Sequence, residues 1–532
     1  MKKLLFVACI SVILLSSCED LLAWLLSGSG TKTFWAVDTT KNPSDYNYYY
    51  QLTANLLAEN DLCKVYAETT SGVTEQDAQR MADEYNVIYS KMIAAFGLEF
   101  DVEYTNGTKD RINTLRYADA LTDGDGKLTI LLLDIKDGYR KGVNESYVAG
   151  YFTPYNFFRD TNSNSCDMIY IDTDPALKND PEDAYSTLAH ELQHMMNFVT
   201  TLEKRLVYDA KGEVTDILLM DTWIDEGLAS AAEWVYTGKT LDDRLSWYYN
   251  NGGGEGANKI TSLIDKGNNF FVWDNREDES IYANLDDYAT VYLFFQWLRI
   301  QSNNGQNIYK EIIGSSKGDY MAVTDAASAR ISSSYNNGNW ERLLGDWLAA
   351  NYINSTATSG DISRYGYKND PDLIKIKGRH FLPTTATTTA TTTAKTFSLY
   401  PGEGVYSKIN SSIIRPSSSY GNIRYSFLTD TGISDSNSIS NAVLLTYNAN
   451  PINFIMGSDD RKKDPNPEDG TVTGLVASVT IDPVNGRSVA AGVPMFSGPY
   501  RIGAGEVRHG RDGSLPNANV LQFLNSLTLR EE

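Results

Sequence analysis

The segment STLAHELQHMMNF, residues 186–198, constrains this chain more than any other. The 532 residues include only 4 histidines, and two of them, His190 and His194, stand four apart within it. The residues just upstream carry the chemistry of a helix start. Asp180 suits the cap, Pro181 the first helical position, and Glu182 and Asp183 the positive end of the dipole. On a helix, residues i and i+4 share one face a turn apart. Two imidazoles so spaced bind one metal ion together. Glu191 between them is not a ligand, but it sits beside the open position of such a metal, where it takes a proton from a water. A lone histidine on an apolar face is ordinarily a core residue, and Leu188, Leu192, Met195 and Met196 read as core. The HExxH pattern within a capped helix reads instead as a metal site.

A catalytic zinc takes three protein ligands and a water. Neither His380 nor His509 stands at the short spacing of a third histidine ligand, so the third ligand is expected to be a carboxylate. TWIDEGLASAAEW, residues 222–234, supplies the candidates. Asp221 is positioned to cap a second helix there, and Glu226 lies in its first turns. Glu226 is the first choice, with Asp225, Glu233 and Asp221 as alternatives. One zinc ion per chain is expected.

The pattern around this segment is α+β. Residues 34–180 mix a long helix (74–96) with short β-rich runs, KLTILLLDI (127–135) and CDMIYIDT (166–173). Residues 181–380 read as mostly helical, notably 221–238, 288–300 and 339–354. A Thr/Ala run marks a linker over 381–396. Residues 397–532 read as short strands between turns, the pattern of a small, sandwich-like all-β domain. DGDGK (123–127) reads as a turn rather than a calcium loop, since it has no closing glutamate. NGGGEG (251–256) lacks the strand–turn–helix context of a phosphate loop, and 458–470 reads as a solvated loop.

The net charge of −22 leaves no basic stripe to neutralise phosphates, which excludes a nucleic-acid partner. The chain opens MKKLLFVACISVILLSSC. Two lysines and an apolar run too short to span a bilayer read as a signal peptide over 1–17. The final LSSC resembles a bacterial lipobox, with Cys18 as the lipidated residue and 18–33 as a tether. The expectation is a lipid-anchored, extracytoplasmic protein of the bacterial cell envelope, on the outer membrane or cell surface, and a monomer. Cys63 and Cys166 are the remaining cysteines, and the sequence leaves open whether they pair.

HELQH followed by WIDEGL resembles the gluzincin metallopeptidases, the clan of thermolysin-like enzymes and aminopeptidases. More closely, the chain is similar to the hyicolysin-like family of bacterial secreted metallopeptidases. KLTILLLDI, YVAGYFTP (147–154), MIYIDT, TLAHELQHMMNF, WIDEGLASAAE, YATVYLFFQWL and DWLAANYIN carry that likeness in order across residues 34–355. The resemblance implies a thermolysin-like metallopeptidase domain acting on protein or peptide substrates. In it His190 and His194 match the histidine ligands, Glu226 the glutamate ligand and Glu191 the general base. The stretch 147–152 resembles the edge strand that pairs with an extended substrate. Two positions depart from the pattern. Asp225 stands where relatives more often have Asn, and Ser230 stands where relatives keep a carboxylate that orients a ligand histidine, with Glu233 as a candidate substitute. The oxyanion of peptide hydrolysis needs a donor besides the metal. Tyr288 is the first choice and Tyr292, one turn on, the second. The rival reading is a catalytically silent surface lipoprotein acting as a binding or adhesion module.

Overall fold

The computed structural model describes residues 30–373, apart from breaks at 42–44, 105, 144–146, 160, 213 and 303–304 and most of 251–282, together with strand-bearing segments within 395–491. The stretch read as a signal peptide, Cys18, the stretch read as a tether up to residue 29, His380, the Thr/Ala run up to 394, residues 458–470, His509 and most of NGGGEG lie outside the described residues.

In chain order the first half comprises β1 (Thr31–Val37), β2 (Tyr49–Glu59), β3 (Cys63–Glu68), α1 (Glu75–Ala95), the hairpin β4 (Glu99–Glu103) and β5 (Lys109–Asn113), α2 (Thr114–Leu121), β6 (Leu128–Leu133), β7 (Gly150–Tyr151) and β8 (Met168–Asp172). Six of these strands form one sheet in the order β1-β2-β3-β6-β8-β7. Its centre, β3-β6-β8, is parallel, and β1, β2 and β7 add antiparallel at the flanks. A parallel centre requires cover on both faces and near-continuous apolar strands. LTILLL and MIYID meet that requirement, being buried at every position. The period-2 alternation sorts them. Ile130, Leu132, Ile169 and Ile171 enter the core shared with the helices, whereas Leu131, Leu133, Met168 and Tyr170 line the opposite face with Phe34, Leu52 and Tyr151. DGDGK is a turn leading into β6: Asp119 accepts from the Gly126 amide, and Asp125 from the Lys127 amide.

The second half is helical: α3 (Pro181–Lys204), the hairpin β9 (Leu206–Tyr208) and β10 (Val214–Ile217), then α4 (Thr222–Thr237), α5 (Asp242–Asn250), α6 (Ala283–Gln301), α7 (Asn307–Ile313), α8 (Tyr320–Arg330) and α9 (Trp340–Ile353). The molecule is thus mixed α+β, with a β-rich first half and helices after it. Helix α3 lies between the sheet and the later helices. Nearly every residue from Ala184 to Leu202 is buried, as for a helix packed on all sides. Among the described residues, no helix is long and apolar enough to cross a membrane.

Two element boundaries differ from the sequence reading. Strand β1 begins at Thr31, inside the stretch read as tether, because TKTFWAV pairs along its whole length with β2. The strand Lys395–Leu399 begins inside the stretch read as linker and pairs with Ala477–Asp482. A four-stranded antiparallel sheet (Gly404–Ile409, Ile423–Thr429, Gly432–Ser434 and Ala442–Asn448) rests on α9. Tyr406 and Tyr447 donate hydrogen bonds to the carbonyls of Leu348 and Glu341 on that helix. Cys63 and Cys166 are both free and buried, and burial pushes each thiol up to about 12.

Ile130 is fully buried in β6 at the middle of the sheet. Ile130→Ala is expected to cost about 2–5 kcal/mol, the range for a large-to-small change in a packed core, read as a lower denaturation midpoint in urea.

Candidate metal centre

The centre is built where α3 and α4 cross. Asp180 caps α3 by accepting from the amides of Glu182 and Asp183, with Pro181 in the first turn. That fixes the start of the helix and hence the face on which His190 and His194 emerge. Their rings meet edge to face, with centroids 4.9 Å apart. Helix α4 begins at Thr222. Asp221 occupies its cap position but makes no side-chain cap bond. One turn in, the Oε2 atom of Glu226 lies 3.4 Å from Nε2 of His190 and 3.5 Å from Nε2 of His194. Ligand-type atoms of His190, Glu191 and His194 also lie within 4.8 Å of one another.

The outer nitrogens of both imidazoles face carboxylates. Nδ1 of His190 is 2.9 Å from Oε1 of Glu233, and Nδ1 of His194 is 3.0 Å from Oδ2 of Asp225. A carboxylate on Nδ1 holds the proton there and leaves Nε2 with a lone pair for a metal. Asp225 and Glu233, alternatives for the third ligand in the sequence, therefore sit behind the histidines, and Glu226 sits in front. Ser230 is fully buried one turn from Glu226, and its hydroxyl reaches no hydrogen-bond partner among the described residues. Glu233, one turn further along the helix, is the carboxylate that meets His190.

The electrostatics favour a cation. Burial works against charge on His190, yet Glu226, Glu233 and Glu191 together push its pKa up to about 10. Burial likewise opposes charge on Glu226, but the two histidines hold it well below the usual carboxylate range. Two nitrogens and one carboxylate oxygen converge in a buried, anionic pocket, and this donor set fits a zinc ion.

Helix α6 supplies the remaining wall. Tyr288 is buried, and its hydroxyl hydrogen-bonds Glu226. Burial, with Glu226 and Glu191 nearby, holds its phenol well above the ordinary tyrosine range. The Arg244 guanidinium of α5 stands 5.0 Å over its ring. Tyr292, one turn on, faces elsewhere, and its hydroxyl accepts from the Leu241 amide. The close approach of α6 to α4 depends on Gly227, next to Glu226. A Cβ at that position would lie 2.2 Å from the Phe295 ring.

Two residues of this neighbourhood carry almost no sequence signal. Asn197 donates to Asp225 at 2.6 Å, and Arg205, at the end of α3, donates to Asn197. Only their spacing of three residues beyond His194 and eight beyond Asn197 along α3 hinted that they share its neighbourhood.

No protein-family model matches the chain. The chain is 33% identical over 277 residues to the neutral metalloprotease ShpI of Staphylococcus hyicus, an alignment that covers 49% of this chain and 56% of that protein. The chain thus spans a little over half the length of this relative. Together with the His190–Glu191–His194 group, the likeness supports a metalloprotease.

Gly227→Ala is expected to push α6 away from α4. Overpacking of this kind costs about 1–3 kcal/mol, read as a lower thermal midpoint. Gly→Ala within a helix otherwise gains about 1 kcal/mol of propensity, so a lower midpoint reports the clash and a higher one rules it out.

Proposed function

We propose that this chain is a zinc-dependent metalloendopeptidase of gluzincin type, akin to the hyicolysin-like secreted enzymes. The observation that carries the reading is the convergence of His190 Nε2, His194 Nε2 and Glu226 Oε2, with the Glu191 carboxylate alongside. When bound, a zinc ion supplies a Lewis acid and draws the pKa of a water toward neutrality. Glu191 takes the proton of the attacking water and returns it to the leaving amine. Tyr288, whose raised pKa keeps its proton at neutral pH, donates a hydrogen bond to the developing oxyanion. Asp225 and Glu233 hold the tautomers of His194 and His190. The antiparallel edge β7 lines up an extended protein or peptide substrate by main-chain pairing.

The remainder of the proposal concerns location. Lipidation at Cys18 holds a monomer on the envelope, outside the cytoplasm, and residues 1–18 support that reading. A β-rich C-terminal region follows the protease region.

Glu191→Gln is expected to bind about one zinc per chain, like the parent, and to lose roughly 10²–10⁴ in turnover of a mixed peptide library. A zinc chelator abolishes parental cleavage, and added zinc restores it. If the parent binds zinc and cleaves nothing, the binding-module reading replaces this one. Tyr288→Phe is expected to lower kcat roughly 10²–10³-fold with little change in KM. Intact turnover in that variant removes Tyr288 from the oxyanion role.

A further inference from the structure

Behind His194 a line of buried polar groups runs away from the reacting atoms. Asp225 is fully buried, with one carboxylate oxygen 3.0 Å from His194 Nδ1. Its other oxygen accepts from Asn197 Nδ2 at 2.6 Å. The Asn197 side-chain carbonyl in turn accepts from Arg205 Nη2, also at 2.6 Å. Arg205 is 1% exposed. Among the described residues its remaining hydrogen-bond partners are the Thr201 hydroxyl and the carbonyls of Asn197, Ile313 and Ser315. None of these partners is a carboxylate.

A buried guanidinium without a counter-charge is costly, and so is a buried carboxylate. Here each lies one amide away from the other. An ionised Asp only accepts hydrogen bonds and an Arg only donates them, so the two charges dictate how the amide between them is turned. Its NH2 faces Asp225, its C=O faces Arg205, and its dipole lies along the field between them. Arg205 also sits at the negative end of the α3 dipole.

We propose that Arg205 is a positioning residue for the metal centre. Through Asn197 it compensates the charge of Asp225 and fixes that carboxylate against His194. The proposal rests on the metal reading above for its effect on zinc, and on the buried chain alone for its effect on folding. It also accounts for an aspartate at position 225. An asparagine there has only one acceptor end, so its NH2 would face either the Asn197 NH2 or His194 Nδ1, and it would carry no charge to balance the guanidinium.

A double-mutant cycle tests this. Arg205→Met, Asp225→Asn and the double variant are made in the full chain. The zinc dissociation constant is measured by competition with a chromophoric chelator, and the unfolding equilibrium of the metal-free protein in urea. Arg205→Met alone is expected to weaken zinc roughly 10–100-fold, the range for a lost outer-shell partner. In the Asp225→Asn background the same change is expected to cost less than about threefold. The unfolding equilibrium is expected to show the same non-additivity, as for residues in one network. Equal losses in both backgrounds overturn the proposal and leave Arg205 a packing residue. If Arg205→Met does not fold, Asn197→Ala is put through the same cycle, with the same coupling expected and additivity again overturning the idea. If the parent binds no zinc, the reading under Proposed function fails, and the metal-free unfolding cycle still decides this one.

Discussion

The structure depends on one constraint: helix α3 is buried on every side and yet carries two histidines, a glutamate and an asparagine. A buried polar group without a partner costs on the order of 1–3 kcal/mol, so each of these side chains fixes something around it. His190 brings Glu233 and Glu226 to it, His194 brings Asp225, and Asn197 brings Arg205. Helix α4 therefore has one usable register against α3, the one that sets Asp225, Glu226 and Glu233 against the two rings. Gly227 then lets α6 close on the far side with Tyr288. The centre is a consequence of burying a polar helix, and the sheet beneath provides the rigid floor that keeps it buried.

The charge balance follows from the same burial. Two imidazoles face three carboxylates at short range, and Glu191 adds a fourth nearby. Burying such an excess of negative charge is costly, and a cation among it offsets that cost. The raised pKa of His190 expresses that demand as proton affinity. A metal ion answers it better, because it meets both Nε2 atoms and Oε2 of Glu226 at once.

What was legible in the sequence was local. The spacing of His190 and His194 fixes their common face once the helix is granted, and the caps at Asp180 and Pro181 granted it. Glu226 was readable as the carboxylate near the start of the next helix, but Asp225 and Glu233 were separable from it only by the crossing angle of α3 and α4. Tyr288 and Tyr292 differ by one helical turn, and only the packing of α6 shows which faces Glu226. Arg205 was silent because its partners at Ile313 and Ser315 are more than a hundred residues away. Strand β1 was missed because TKTFWAV is exposed over its first half and shows little alternation. Strand β7 is two residues long, too short for alternation to show, and only the resemblance of 147–152 to an edge strand pointed to it.

The sheet seated on α9 carries a consequence for how the chain comes apart. Tyr406, Leu428, Leu445 and Tyr447 belong to the same apolar cluster as α3, α4 and α6. Composition alone draws a border at residue 396, but the described interior runs across it without a seam. Packing shared across that border couples the stability of the residues on its two sides. Loosening the last strands therefore strips cover from α9 and, through the shared cluster, weakens the ground on which the histidines stand.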